Sequence, residues 1–333
     1  MILNATECLD FDDVMIEPKI SQISSRSEVD LEYVYVRPYD SNKISWKGIP
    51  IIAANMDKIG TLKVSRVLSE YKMLTFLHKY HTVDDLRGKD YDSEYIGISA
   101  GISPSEFENV TQILAYNPNI KFICLDVANG YMTSFHEVVK KYAISFPDVF
   151  IVAGNVVEHY GSEALRRAGA DLIKCGIGSG AVCTTRAKTG VGLPQFSCIA
   201  KCTKDIGNYP YKMDIISDGG CKTPGDIAKA FGAGAKFVMI GGMLAGHDET
   251  GTDFYGMSSN EAMKLYSDGV DSYRTAEGKK VLVESKGPLS ATIKDILGGL
   301  RSSLSYTNSK TMADFIGKQS FNVVRRQLNN LFD

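Results

Sequence analysis

Short runs of apolar and β-branched residues recur along the chain, and each is followed by a stretch of helical length. The stretches between them carry apolar residues at helical spacing, as in Thr61–Glu70, Glu106–Tyr116, Ser134–Tyr142, Ser162–Ala168, Gln195–Lys204 and Gly225–Phe231. Eight strand–helix units in succession predict an α/β fold, a (β/α)8 TIM barrel. The eight predicted strands are Pro50–Ala54, Met73–Leu77, Tyr95–Ser99, Lys121–Leu125, Val149–Ala153, Asp171–Cys175, Met213–Ser217 and Lys236–Ile240.

An open doubly wound sheet is the alternative architecture for alternating strands and helices. That fold normally carries a glycine-rich turn after its first strand, whereas the turn here is Asn55-Met56-Asp57. The count of strand–helix units therefore favours the barrel. We expect a single barrel domain over residues 1–333, with residues 1–45 as an N-terminal arm. The polar stretch 246–286 is predicted to be an active-site excursion after strand eight, followed by a last helix at Ala291–Ser303.

Composition and net charge indicate which kinds of binding partner the protein is expected to lack. Hydrophobic residues make up 44% and charged residues 23% of the 333 residues, with a net charge of −2, so we expect no nucleic-acid or membrane partner. The N-terminus resembles no secretory signal, and seven cysteines, an odd number, lie mostly in apolar runs. These features predict a soluble cytoplasmic protein. The five histidines show no ligand spacing, so we expect no transition-metal site.

The residues that follow the predicted strands collect at one rim of the barrel, where this fold carries its chemistry. Gly219-Gly220 and Gly241-Gly242 end strands seven and eight, the usual place for a phosphate cradle. Asp126 and Asp218 also end strands, and such carboxylates can accept hydrogen bonds from a ribose diol. Asp218 has a second interpretation as the N-cap of the following helix.

A loop with glycine at every second position, Gly176 to Gly180, leads into Cys183. Alternating glycines let backbone groups turn inward around a phosphate or a cation, so Cys183 is a candidate nucleophile at the end of that turn. A small buried hydrophobe is the other interpretation of such a cysteine. Thr185 and Glu277 are candidates for moving protons on a leaving group, although Glu277 also fits a solvated surface charge.

Four segments together resemble the GMP reductase and IMP dehydrogenase family. The likeness extends from Phe11 to Arg301, and the segments that carry it are Cys183–Gln195, Ile151–Val157, Ile216–Gly220 and Phe254–Ser259. Dehydrogenases of this family generally carry a CBS-type regulatory insertion after the second strand and a flap before the Glu-Gly segment. In this chain only a short segment separates His78 from the third predicted strand at Tyr95, and the sequence runs directly from Tyr273-Arg274 to Glu277-Gly278. We therefore expect neither the CBS-type insertion nor the flap, and the likeness is to the reductase branch.

The resemblance implies an NADPH-dependent oxidoreductase that irreversibly deaminates GMP to IMP and ammonia in purine nucleotide salvage. By that analogy Cys183 attacks purine C2 to give a covalent thioimidate, the nicotinamide delivers hydride, and Thr185 with Glu277 protonates the departing amine. Two alternatives stay open at this point. One is an IMP dehydrogenase-like oxidoreductase, and the other is a catalytically silent barrel that binds guanine nucleotides.

The same resemblance assigns ligand contacts residue by residue and implies a homotetramer. The implied GMP contacts are Asp218, Gly219, Gly220, Gly241, Gly242, Gly256, Met257, Ser258, Arg274 and Gly278. The implied cofactor contacts are Lys79, Asp126, Val127, Ala128 and Tyr273, with Ser25, Arg26, Ser302, Ser303 and Ser305 reaching a cofactor across a subunit boundary. The implied monovalent-cation site, for K⁺ or Na⁺, comprises Gly178, Gly180, Cys183 and Arg186.

The loop departs from the family pattern at two positions. Ala181 stands where the family usually has a serine hydroxyl beside the phosphate, and Ser179 replaces a common proline. We expect a weaker phosphate contact unless Ser179 compensates for the missing hydroxyl.

Overall fold

The computed structural model describes residues 7–38, 44–204, 213–266 and 275–324. Helices separate successive strands from Ser45–Ala53, the first barrel strand, to Phe237–Ile240, the last. The strands are β1 (Val14–Ile16), β2 (Tyr33–Val36), β3 (Ser45–Ala53), β4 (Met73–Leu77), β5 (Ile96–Ala100), β6 (Phe122–Asp126), β7 (Phe150–Val156), β8 (Leu172–Cys175), β9 (Ile215–Asp218), β10 (Phe237–Ile240), β11 (Asp253–Tyr255), β12 (Lys280–Leu282) and β13 (Phe321–Val323).

The α-helices of the described residues lie between these strands and after β12. Several begin at a polar cap: Thr61, Ser103 and Thr223 each accept a hydrogen bond from a backbone N–H in the first turn. The helices are α1 (Leu62–Glu70), α2 (Val83–Leu86), α3 (Pro104–Tyr116), α4 (Thr133–Ser145), α5 (His159–Arg167), α6 (Thr185–Thr189), α7 (Gln195–Cys202), α8 (Pro224–Gly232), α9 (Asn260–Tyr266), α10 (Leu289–Tyr306) and α11 (Met312–Phe315).

Strands β3 to β10 form a closed parallel barrel. Each pairs with its neighbour in chain order, and β10 pairs with β3 through Val238 and Ile51 to close the sheet. Strands that are buried on both faces are near-continuous apolar runs. For this reason the barrel strands could be predicted from the sequence. The predicted (β/α)8 barrel is therefore confirmed. Strand β3 begins earlier than predicted because its first half pairs antiparallel with β2.

Aromatic side chains close the end of the barrel where the strands begin. The Trp46 ring lies 5.4 Å from that of Phe237 and 5.9 Å from that of Phe122, and Tyr35 packs 5.2 Å from Phe150. Such ring pairs contribute about 0.5–1.5 kcal/mol each beyond the area they bury. Because this end is filled, access to the barrel interior is from the opposite rim.

The excursion after β10 folds back over that rim. Strand β11 pairs antiparallel with β12, and Gly278 bridges to both Cys183 and Ser259.

Elsewhere β1 pairs with β13, which joins the N-terminal arm to the C-terminal segment. Within the described ranges, no helix has the length and apolar character needed to span a bilayer.

Candidate active site

A cavity of about 860 Å³ opens at the carboxyl ends of the barrel strands. This volume lies near the upper end of the range of about 300–1,000 Å³ for small-molecule sites. Most residues singled out in the sequence line it together: Cys183, Thr185, Glu277, Asp218, Gly219, Gly220, Gly241, Gly242, Gly256, Met257, Ser258, Gly278, Lys79, Asp126, Val127, Ala128, Gly178 and Gly180.

Three side chains in this cavity form a chain of hydrogen bonds. The Cys183 thiol donates to Thr185 Oγ1 at 3.2 Å, and the Thr185 hydroxyl donates to Glu277 Oε2 at 2.7 Å. Glu277 is partly buried rather than a solvated surface charge. The geometry provides a path along which a proton can pass between the sulfur and a carboxylate.

Backbone hydrogen bonds fix the cysteine loop to the excursion. Thr184 N donates to Glu277 O at 2.8 Å, and Lys279 N donates to Val182 O at 2.9 Å. Helix α6 begins directly after Thr184, so Thr185 sits at its first turn. These main-chain hydrogen bonds therefore fix the position of the Glu277 carboxylate relative to the Cys183 sulfur, although the two residues are distant in sequence.

The glycine-rich turns approach one another too closely for side chains. At Gly219, with φ +86°, a Cβ would lie 2.7 Å from Ser179 Oγ. Ala181 faces Gly242, where a Cβ would lie 3.2 Å from the alanine methyl. The Ser179 hydroxyl donates to Asp218 O at 3.0 Å. Because that donor is already used, Ser179 supplies no obvious substitute for the hydroxyl missing at position 181.

A buried lysine joins the two strand-end acids. Lys174 Nζ, on β8, lies 3.1 Å from Asp126 Oδ1, 2.6 Å from Asp218 Oδ2 and 3.0 Å from Asn155 Oδ1. Burial by itself lowers the pKa of Lys174, but the charges of both aspartates outweigh it and the pKa is raised. Lys174 is therefore a buried cation that two carboxylates of the cavity share.

Amide side chains complete this cluster. Asn155 donates to Asp218 Oδ2 at 2.9 Å and to Gly176 O at 2.7 Å, and Asn55 donates to Asp126 Oδ2 at 2.8 Å. Helix α8 is capped by Thr223, so the N-cap interpretation of Asp218 is wrong. Sequence reasoning missed Lys174, although a lysine inside the apolar run of β8 was a usable signal.

Lys79 lies on the side of the cavity near Asp126. Its ammonium lies 2.9 Å from Glu106 Oε1, and Glu106 also accepts the backbone N–H of Ser103. Burial alone lowers the pKa of Lys79, but the hydrogen bond and charge of Glu106 raise it overall. Lys79 thus stays cationic at the cavity wall.

Some residues named from the sequence lie elsewhere. Ser25 and Arg26 are exposed on the N-terminal arm beside α10, and Ser302, Ser303 and Ser305 bond to carbonyls of that helix. None of these five lines the cavity of this chain. Arg186 packs against Gly178 and lies 3.8 Å from Asp10. Tyr273 and Arg274 fall outside the described residues.

The arrangement as a whole provides a thiol nucleophile, a hydroxyl–carboxylate relay and a glycine-lined cradle in one cavity. Comparison with known proteins shows which family the chain resembles. Residues 8–327 match the family model described as the IMP dehydrogenase / GMP reductase domain.

Individual relatives resemble the chain over nearly its whole length. It is 47% identical to GMP reductase 2 of Homo sapiens, covering 97% of this chain and 96% of the relative. It is 46% identical to a GMP reductase of Phytophthora infestans, with 97% and 92% covered. It is 44% identical to a GMP reductase of Klebsiella pneumoniae, with 98% and 97% covered.

Proposed function

The chain belongs to the IMP dehydrogenase / GMP reductase family, and from that premise we propose that it is a GMP reductase. The reaction would be the irreversible NADPH-dependent reductive deamination of GMP to IMP and ammonia, a step of purine nucleotide salvage. The observation that carries this proposal is the hydrogen-bonded series Cys183–Thr185–Glu277 inside the cavity. A barrel that only bound nucleotide would have no need of that relay.

The relay accounts for the first half of the reaction. Cys183 Sγ attacks purine C2 while its proton passes through the Thr185 hydroxyl toward Glu277. The C2–N bond then breaks, and the same path returns a proton to the departing amine so that ammonia leaves. The purine remains bound to sulfur as a thioimidate, and two moderate steps replace one difficult displacement.

A bound nicotinamide cofactor supplies the hydride that side chains cannot. The residues suited to hold it are Lys79 and the segment Asp126 to Ala128, because they line the same cavity as Cys183. Breaking the C–S bond would release Cys183 as a thiolate. Because the first proton has left with ammonia, Glu277 would take up a new proton from solvent, and that proton would reach the sulfur through the Thr185 hydroxyl. Lys174 and Asn155 hold Asp126 and Asp218 in place through both halves.

The substrate side follows from the glycine turns. Backbone N–H groups at Gly219-Gly220 and Gly241-Gly242 would bind the phosphate, and Asp218 would accept the ribose hydroxyls. The excursion would cover the purine with Gly256, Met257, Ser258 and Gly278, together with Arg274. All of these except Arg274, which lies outside the described residues, line the cavity.

Three further features belong to the proposal. Carbonyl oxygens of the Gly178–Cys183 loop, with Arg186 nearby, suit K⁺ or Na⁺; Gly178 has a φ of +82°, which helps the loop turn its backbone groups inward. A homotetramer would let Ser25, Arg26 and the Ser302–Ser305 segment reach a neighbouring cavity. None of the seven cysteines, all of them within the described residues, forms a disulfide, which fits a reducing compartment, the cytoplasm.

A spectrophotometric assay tests the activity directly. Mixing the protein with NADPH and GMP should lower the absorbance near 340 nm, whereas IMP with NAD⁺ should give no rise. Cys183→Ala should abolish turnover and retain GMP binding in calorimetry, while Cys8→Ala should match the wild type. NADH formation from IMP, without NADPH consumption from GMP, would reassign the chain to the dehydrogenase branch.

A further inference from the structure

A buried carboxylate outside the relay connects the barrel to the excursion. Asp57 follows β3, is 9% exposed, and accepts hydrogen bonds from the hydroxyls of Tyr255 and Tyr266. The Tyr266 bond measures 2.5 Å. The Asp57 backbone N–H also points at Met257 Sδ, 3.2 Å away. Both tyrosines and the methionine belong to the excursion, so one barrel residue contacts it at three points.

The groups around Asp57 leave the two phenols as its principal partners. His78 Nε2 lies 3.9 Å away and stacks on His81 at 4.0 Å. Burial, followed by the charge of His81, lowers the pKa of His78 to about 4, so this imidazole is neutral at pH 7. Lys58 is exposed. Burial alone raises the pKa of Asp57, but the hydrogen bonds from Tyr255 and Tyr266 lower it overall.

The two tyrosines are the last residues of two elements of the excursion, β11 and α9. Tyr255 ends β11, directly before Gly256 to Ser258, which line the cavity. Tyr266 ends α9, and its ring stacks on Tyr80 at 3.9 Å and an interplanar angle of 3°. Asp57 is therefore the point where the rim loops after β3 and β4 converge on the excursion.

A short series of contacts leads from this point to the reacting groups. Ser258 O accepts the backbone N–H of Glu277 at 3.0 Å, and Glu277 Oε2 accepts the Thr185 hydroxyl at 2.7 Å. A shift of β11 against the barrel would therefore move the Glu277 carboxylate relative to Cys183.

We propose that Asp57 is a positioning residue, whose two tyrosine hydrogen bonds align the Glu277 segment of the excursion with Thr185 and Cys183. The expected effect of Asp57 on turnover rests on the proposed function. Its role in anchoring the excursion rests only on the contacts described above. Asp57 does not itself reach the reacting atoms. Its effect on turnover should pass through Glu277.

Hydrogen–deuterium exchange of the ligand-free protein tests the anchoring role. Asp57→Asn keeps the side chain's size but exchanges one accepting oxygen for a donor. Exchange should accelerate at residues 254–266 and 275–282 and stay unchanged in β7. Tyr142→Phe is the matched control, because the Tyr142 hydroxyl is buried in α4 without a hydrogen-bond partner. Exchange that is unchanged at the excursion, or faster everywhere, would overturn the proposal.

A double-mutant cycle tests the route through Glu277. Asp57→Asn should lower kcat about tenfold with the KM for NADPH unchanged, and Tyr255→Phe and Tyr266→Phe should each lower it less. In a Glu277→Gln background, Asp57→Asn should lower kcat less than about twofold, because coupled residues are non-additive. Equal losses in both backgrounds would overturn the proposal. Absence of GMP reduction by the wild type would instead refute the proposed function and leave the exchange result to decide the anchoring role.

Discussion

Lys174→Met removes the buried cation that two carboxylates share. The Lys174 side chain is 4% exposed, while those of Asp126 and Asp218 are 32% and 21% exposed. Methionine fills nearly the same volume, so the change is mainly one of charge. It leaves two partly buried carboxylates in one cluster without their shared cation, and among the described residues the amides of Asn55 and Asn155 remain as hydrogen-bond donors to them.

The expected loss of stability follows from that geometry. Removing one partner of a buried ion pair costs about 3–5 kcal/mol. Both aspartates retain some contact with water, which screens their charges, so we expect the lower end, about 3 kcal/mol in the free energy of unfolding. For a chain of 333 residues, that loss corresponds to a fall in melting temperature of about 4 °C.

Urea unfolding followed by circular dichroism measures this loss, with Lys140→Met on the exposed face of α4 as the matched control. The double variant Lys174→Met/Asp126→Asn should recover part of the stability, because it removes one of the two charges. A Lys174→Met protein within about 0.5 kcal/mol of the wild type, the usual range for surface substitutions, would refute the reasoning.

Three further predictions follow from the site. Ala181→Ser should lower the KM for GMP about 2- to 10-fold with kcat unchanged, since one neutral hydrogen bond contributes about 0.5–1.5 kcal/mol; a change in kcat alone would contradict a phosphate contact. Thr185→Val should lower kcat about 10²–10⁴-fold by interrupting the relay, and Thr185→Ser should retain most activity in the same assay. The pKa of His78, lowered from 6.5 to about 4, means that its contribution to stability is complete above pH 6.5 and is lost as pH falls from there toward 4. His78→Gln should therefore flatten the fall in melting temperature across that window, and equally steep curves for the two proteins would be the contrary result.

The sequence determined the barrel because the strands of a closed parallel sheet are buried on both faces. Each strand must then be apolar throughout, and eight such runs separated by helical periodicity admit few other folds. Since parallel strands present their carboxyl ends at one rim, the same pattern also placed Cys183, Asp218 and the glycine pairs on one face.

The tertiary structure decided which of those residues touch. Thr185 and Glu277 are 92 positions apart, and no periodicity in the sequence indicates that their side chains meet at 2.7 Å. Lys174 pairs in register with Gly154 of β7 and Ile216 of β9, whereas its partner Asp126 lies two strands away on β6. Its role therefore appears only when β6, β8 and β9 curve around one interior.

The same reason applies to Asp57. In the sequence it is an acid after the first strand, and its partners Tyr255 and Tyr266 lie about two hundred residues later. Local propensities and hydrophobic patterns report on neighbours in the chain, whereas hydrogen bonds between distant loops depend on how the barrel closes. The sequence alone thus established the scaffold and its chemical rim, and only the closed barrel with the excursion folded over it established the pairings.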